Sequence, residues 1–294
     1  MNTFARYAVF ILVMGIIITL LATALPNFYS SVLGVVKIAR IQVHTELSVG
    51  SDFLMGVSSV DSIISQLKSA DGDSEIKAVI LDINSGGGGV VASYELADEI
   101  KSFSKPIVTV IREVGASGAY WAAASSDYVF ANPLSMVGSV GVIGSYLVFE
   151  GLMEEYGISE VRAVSGDMKD FGSPYRNITV EEQAVFDDLI NKTFQVFSSD
   201  VIQLRNLSDK SVKQVITGKI FLGLDALTVG LVDELGGFEE AEFYLKVLLG
   251  ADTLEYVENS QSFSVLDLLA GVEQDFSRGL LFPSNDLFLR TSLK

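Results

Sequence analysis

The chain has no cysteine and a single histidine, His44. The first absence excludes disulfides, thiolate metal sites and cysteine nucleophiles, and it leaves the redox compartment unread. The second means that a serine hydrolase built on this sequence either takes His44 as its base or works without histidine. Basic residues are also few: 20 Lys and Arg stand against 37 Asp and Glu, a net charge of −17. A surface of that sign repels phosphate backbones, so nucleic acid is not an expected partner. No low-complexity tract or fixed-period repeat interrupts the 294 residues, a length that buries a sizeable core.

Apolar residues are plentiful at 49%, and the mean hydropathy is +0.41. Much of this sits at the start. Residues 7–25, YAVFILVMGIIITLLATAL, carry no charge. As a helix they would span roughly 28 Å, about the thickness of a bilayer core. Arg6 precedes the run and the next basic residue is Lys37. The positive-inside rule then keeps the N-terminus cytoplasmic and the main domain extracytoplasmic. Ala22-Thr23-Ala24 resembles a small-x-small cleavage site, but the run is longer than the core of a usual signal peptide, which favours a retained anchor. The expected division is an anchor over 1–28, a main domain over 29–250 and a C-terminal extension over 251–294.

After the anchor, strand-like and helix-like patterns alternate. VVKIARIQV (35–43), IKAVILDI (76–83), PIVTVIRE (106–113), YVFA (128–131) and ISEVRAV (158–164) read as strands. Helical spacing is found at 57–70, 90–100 and 148–157, and Thr179 with Glu182 forms a capping box that opens a helix running to about Leu204. A further helix is expected near 208–217. Such alternation predicts an α/β fold.

Two glycine-rich turns each join a strand to a helix. In the first, NSGGGG (84–89), the spacing fits neither a P-loop nor a dinucleotide fingerprint. Successive glycines carry a conformational cost, which the close approach of a backbone or an oxyanion would explain. In the second, EVGASGAYWAAA (113–124), Ser117 stands among small residues at a helix start. A serine there is ordinarily an N-cap. It could equally be a nucleophile with the helix N-terminus and the Gly118 N–H beside its oxygen. The base would then be His44 or a lysine kept neutral by an apolar setting. Lys169, in AVSGDMKDFGSPYRNIT, is one such lysine. It also fits a surface loop, and Asp167 and Asp170 would keep its amine charged if they turned toward it.

Taken in order, NSGGGGVVAS, GASGAYWAAASSDYVFANPLSMVGSVGVIG, SGDMKDFGSPYRNITVEE and GLVDELGG resemble the signal peptide peptidase A family of Ser/Lys proteases, over about residues 38–245. The resemblance implies the spiral of strand–helix units of the crotonase/Clp-protease superfold. It implies Ser117 as nucleophile, Lys169 as general base, Ser139 as the hydroxyl that orients the lysine, and Gly87 and Gly118 as oxyanion-hole donors. It implies peptide substrates, among them cleaved signal peptides at a membrane, and no metal or cofactor. It further implies a homo-oligomeric ring in which serine and lysine come from neighbouring subunits. One departure is visible: the family's Asn-Ser-Pro-Gly-Gly has Gly86 at the proline position. The competing expectations are a catalytically idle, membrane-tethered binding protein of the same fold, and an acyl-CoA enzyme of the crotonase type.

Overall fold

The computed structural model describes Met14 and residues 34–44, 46–50 and 58–257. Among the described residues no helix is long and apolar enough to cross a membrane. The run 7–25 lies outside them apart from Met14, as does a second unit, 258–294.

Strand and helix alternate along the chain. The order is β1 (Val35–His44), β2 (Leu47–Ser48), β3 (Ser58–Ser59), α1 (Val60–Gly72), β4 (Ile76–Ser85), α2 (Val90–Ser102), β5 (Ile107–Ala116) and α3 (Gly118–Ala124). There follow β6 (Tyr128–Ala131), β7 (Met136–Gly138), α4 (Glu150–Glu155), α5 (Val180–Leu204), α6 (Asp209–Val215), β8 (Ile220–Leu222), α7 (Gly223–Val229), β9 (Glu234–Leu235), α8 (Phe238–Leu249) and β10 (Thr253–Val257). The main sheet runs β10-β1-β4-β5-β6-β9, all parallel, with β7 paired in parallel beside the last residues of β5 and β8 antiparallel to β7. The fold is therefore mixed α/β with a largely parallel sheet.

Period-two alternation divides the core between two faces. Ala39, Ile41 and Val43 of β1 with Val79, Leu81 and Ile83 of β4 face the helical layer, where Leu67, Leu96, Trp121 and Phe197 close the core. The intervening Ile38, Ile80, Val108 and Val110 face α8 through Ala241 and Leu245. Strands buried on both sides need apolar residues at every position, which is why IKAVILDI reads as an unbroken run.

Two segments differ from expectation. Residues 158–164, expected as a strand, form neither strand nor helix, and Val161 is 97% exposed. Their β-branched composition favours an extended chain, but no strand among the described residues supplies a ladder. Thr253–Val257, placed by the sequence reading in the C-terminal extension, is an edge strand paired with β1 from Val35↔Thr253 to Ala39↔Val257.

Candidate active site

Parallel strands deliver their C-terminal ends, and the turns that follow, to one edge of the sheet. There β4 ends in the four-glycine turn and β5 ends at Ser117. Ser117 occupies the N-cap position of α3, yet its side chain makes no capping hydrogen bond. Its backbone is at φ 52°, ψ −128°, a conformation that non-glycine residues rarely adopt. The Ser117 N–H donates to the Gly138 carbonyl at 2.8 Å, which holds the turn against β7. The capping explanation for the serine thus fails: the hydroxyl caps nothing in α3, and Ser117 lines a cavity of about 110 Å³.

The glycines around Ser117 have separate duties. Gly87 sits at φ +102°, and a Cβ there would come within 2.7 Å of the Gly118 nitrogen and 2.9 Å of the Ser117 Cβ. A Cβ on Gly88 would overlap the Leu47 carbonyl oxygen, and one on Gly118 would overlap Ser93 Oγ on α2. Gly86 has open space around it, so a Cβ at the position where the family has proline would meet no neighbour. Leu47 laces the turn in place: its N–H donates to the Gly87 carbonyl at 2.8 Å, and its carbonyl accepts from Gly89 N–H at 2.9 Å. The Gly87 N–H itself donates to Ser85 Oγ at 3.1 Å. The lacing leaves the Gly88 N–H without a partner among the described residues, and Gly88 lines the same cavity as Ser117 and Gly118.

Ser139 follows Gly138, the residue that anchors Ser117. It too has a positive φ, 54°, and its N–H donates to the Lys219 carbonyl at 2.9 Å. Lys169 lies apart. It sits exposed in a turn and is not among the residues lining the Ser117 cavity. The neighbouring Asp170 does not turn to it: that carboxylate pairs with Arg162 and, at 2.9 Å, with Arg176 Nε. Arg176 also grips Glu182, whose carboxylate completes the capping box with Thr179 at the start of α5. The Arg176 hydrogen bond, helped by the Thr179 N–H, lowers the Glu182 pKa to about 2. Within one chain the structure brings together the serine and the backbone donors, and leaves the lysine outside.

His44 belongs elsewhere. It projects from β1 on the α8 side of the sheet, with Nε2 3.3 Å from Oδ2 of the buried Asp82, and lines a different cavity together with Arg112 and Phe238. Asp82 also pairs with Arg40 at 2.5 Å. The sequence reading missed Gly88, Leu47 and the distal wall formed by Trp121 and Phe197. Trp121 carried a signal, as the chain's single tryptophan placed one helical turn after Ser117.

A strained serine with an uncapped hydroxyl at the end of a parallel sheet, beside the Gly88 and Gly118 N–H groups, neither of which has a partner among the described residues, fits the class of serine hydrolases on α/β folds. The family model for peptidase family S49 matches residues 99–252, just over half of the chain, and the model for Clp protease matches residues 45–137. The chain belongs to peptidase family S49. It is 39% identical to a proposed protease of Methanocaldococcus jannaschii over 66% of this chain and 63% of that one. It is 35% identical to a proposed signal peptide peptidase SppA of Enterococcus faecium over 69% of this chain and 61% of that one. With a proposed protease of Synechocystis it shares 34% identity over 74% of this chain and 76% of that one. The match thus spans less than two thirds of the length of the first two relatives.

Proposed function

We propose that this chain is a membrane-tethered serine endopeptidase using a Ser117/Lys169 dyad completed between neighbouring copies. The observation that carries the reading is the Ser117 turn: a strained backbone, a hydroxyl free of capping, and donors waiting beside it. In the reaction, the deprotonated Lys169 amine takes the Ser117 proton as Oγ bonds to the carbonyl carbon of a peptide. The oxyanion accepts from the N–H groups of Gly118 and Gly88, the latter replacing Gly87, whose N–H is committed to Ser85. The protonated lysine then gives its proton to the leaving amine as the C–N bond breaks. Water, deprotonated by the same lysine, releases the acyl group and restores the serine. Ser139 orients the amine.

Substrates are extended apolar peptides, residual signal peptides among them, bound along strand edges. Residues 7–25 hold the chain in the membrane with the catalytic domain on the extracytoplasmic side, and the strand–helix units follow the crotonase/Clp-protease spiral. The exposed turn of Lys169 and the unpaired β-branched segment 158–164 support a site assembled from two chains, since both need a neighbour to complete them.

A fluorophosphonate probe tests the reading. Covalent labelling of Ser117, abolished in Ser117→Ala and accompanied by hydrolysis of an apolar peptide, is expected. An assembled full-length protein that neither labels nor cleaves would instead be the idle binding protein.

A further inference from the structure

The aromatic wall of the Ser117 cavity is held from behind by a carboxylate. Trp121 stacks on Phe197 with ring centroids 4.7 Å apart and planes 24° from parallel. Tyr94 meets the indole edge-on at 5.6 Å. Both Trp121 and Phe197 are buried at 2% exposure and both line the cavity. The indole N–H donates to Asp200 Oδ2 at 3.0 Å, and the same oxygen receives Lys101 Nζ at 3.2 Å. Asp200 lies on α5, Trp121 on α3 and Lys101 on α2, so one carboxylate ties together the three helices behind the cavity. Packing against Phe197 and Tyr94 confines the buried indole without satisfying its N–H. The hydrogen bond to its single polar atom fixes which face and edge it shows to the cavity.

The cavity measures about 110 Å³. A dry apolar cavity of about 150 Å³ is large enough to admit benzene. The space beside Ser117 is smaller and open on one side; Val90, Val142 and Ile143 add to its apolar wall, and Ser93 and Thr193 contribute neutral polar surface. No charged residue lines it among the described residues, so a charged side chain entering it would find no partner.

We propose that Asp200 is a positioning residue that fixes Trp121 and Phe197 as a size gate for the side chain on the acyl side of the scissile bond. The gate admits aliphatic side chains up to about leucine and turns away aromatic and charged ones. This rests on the protease reading given above and deepens it. Asp200 touches neither substrate nor reacting atoms and acts only through the indole.

The test uses the full-length assembled protein and peptides that differ only in that residue, leucine or phenylalanine. Misfits in apolar pockets cost roughly 10- to 200-fold in kcat/KM. The wild type is therefore expected to favour leucine by at least about tenfold. Asp200→Ala should bring the leucine-to-phenylalanine ratio close to one, while Asp200→Asn, which keeps an oxygen for the indole N–H, should restore it. Phe197→Leu should raise phenylalanine cleavage without help from position 200, and it keeps the gate testable if Asp200→Ala fails to fold. A merely structural role for Asp200 would lower both rates together and leave the ratio unmoved, which overturns the proposal. So would an Asn variant as unselective as the Ala variant, or a wild type that labels at Ser117 yet cleaves both peptides equally. That last result leaves the protease reading standing, whereas a wild type with neither label nor cleavage removes both.

Discussion

The N–H of Ser117 donates to the carbonyl of Gly138 at 2.8 Å, joining the end of β5 to the end of β7 across the mouth of the site. This bond helps to hold a serine at φ 52°, a position that costs on the order of 1–3 kcal/mol without support. Gly138 is itself at φ +96°, where a side chain would be strained and would crowd Leu231 and Phe221. Both partners therefore sit in conformations that sequence propensity alone would avoid. In this arrangement the Ser117 oxygen does not cap α3, and the residue lines the cavity.

The glycine turn yields the first prediction. Gly86 and Gly88 lie two residues apart, but only Gly88 meets an obstacle, the Leu47 carbonyl. Gly86→Ala should leave kcat/KM nearly unchanged. Gly88→Ala must push the turn off Leu47 and carry the Gly88 N–H with it. Loss of one oxyanion donor lowers kcat by about 10²–10³, and a drop of that size is expected. Circular dichroism on both variants separates this from unfolding. Equal activities would show that Gly88 donates nothing.

His44 gives the second. Its ring faces Asp82 on the α8 side of the sheet and lines a cavity that does not include Ser117. His44→Gln should keep most of the peptidase activity. Removing a true general base lowers rates about 10²–10⁴-fold, so a loss on that scale would return histidine to the mechanism.

The third concerns acid. Arg176 holds Glu182 down at about pKa 2, against an ordinary value of 4.5. A carboxyl lowered by folding contributes stability that is fully present above its unfolded pKa and is lost as pH falls through the folded one. The Thr179 cap and its link through Arg176 to the turn bearing Asp170 should therefore hold at pH 5 and loosen between about 4.5 and 2. Hydrogen exchange at residues 176–183 during acid titration reports it. Glu182→Gln should loosen the segment at neutral pH and flatten the titration; an unchanged profile would contradict the assignment.

What could be read from the sequence was local or periodic. The Thr179–Glu182 capping box is legible because both partners lie within one helical turn, and β4 is legible because burial on both faces forces an apolar run. Strand β10 escaped because its partner β1 lies at the other end of the described chain. Segment 158–164 misled because β-branched residues report a willingness to extend, while a strand needs a neighbour. Ser117 and Gly118 could be named from strand, small residues and helix in series. That Gly87 spends its N–H on Ser85, and that Phe197 reaches the cavity from α5, depends on packing that no local pattern records.

The last prediction asks where the base comes from. Lys169 is exposed and absent from the Ser117 cavity of its own chain, in a turn secured by the Asp170 and Arg176 pair. Lys169→Ala should abolish turnover without unfolding the protein, since an exposed lysine contributes no core packing. Lys169→Arg should fail as well, because a guanidinium stays protonated at any usable pH. Neither variant says whether lysine and serine share a chain, but mixing does. Ser117→Ala and Lys169→Ala chains, each inactive alone, are co-expressed and purified as mixed oligomers. If the site is shared, some junctions pair an intact Ser117 with an intact Lys169 from the next copy, and both peptide hydrolysis and fluorophosphonate labelling return at a fraction of the wild-type level. The label should then fall on the chain that lacks its own lysine. If Lys169 instead folds back onto its own serine, every site in the mixture carries one lesion and activity stays absent. Mixed oligomers without recovery would therefore place both groups in one chain and overturn the shared site.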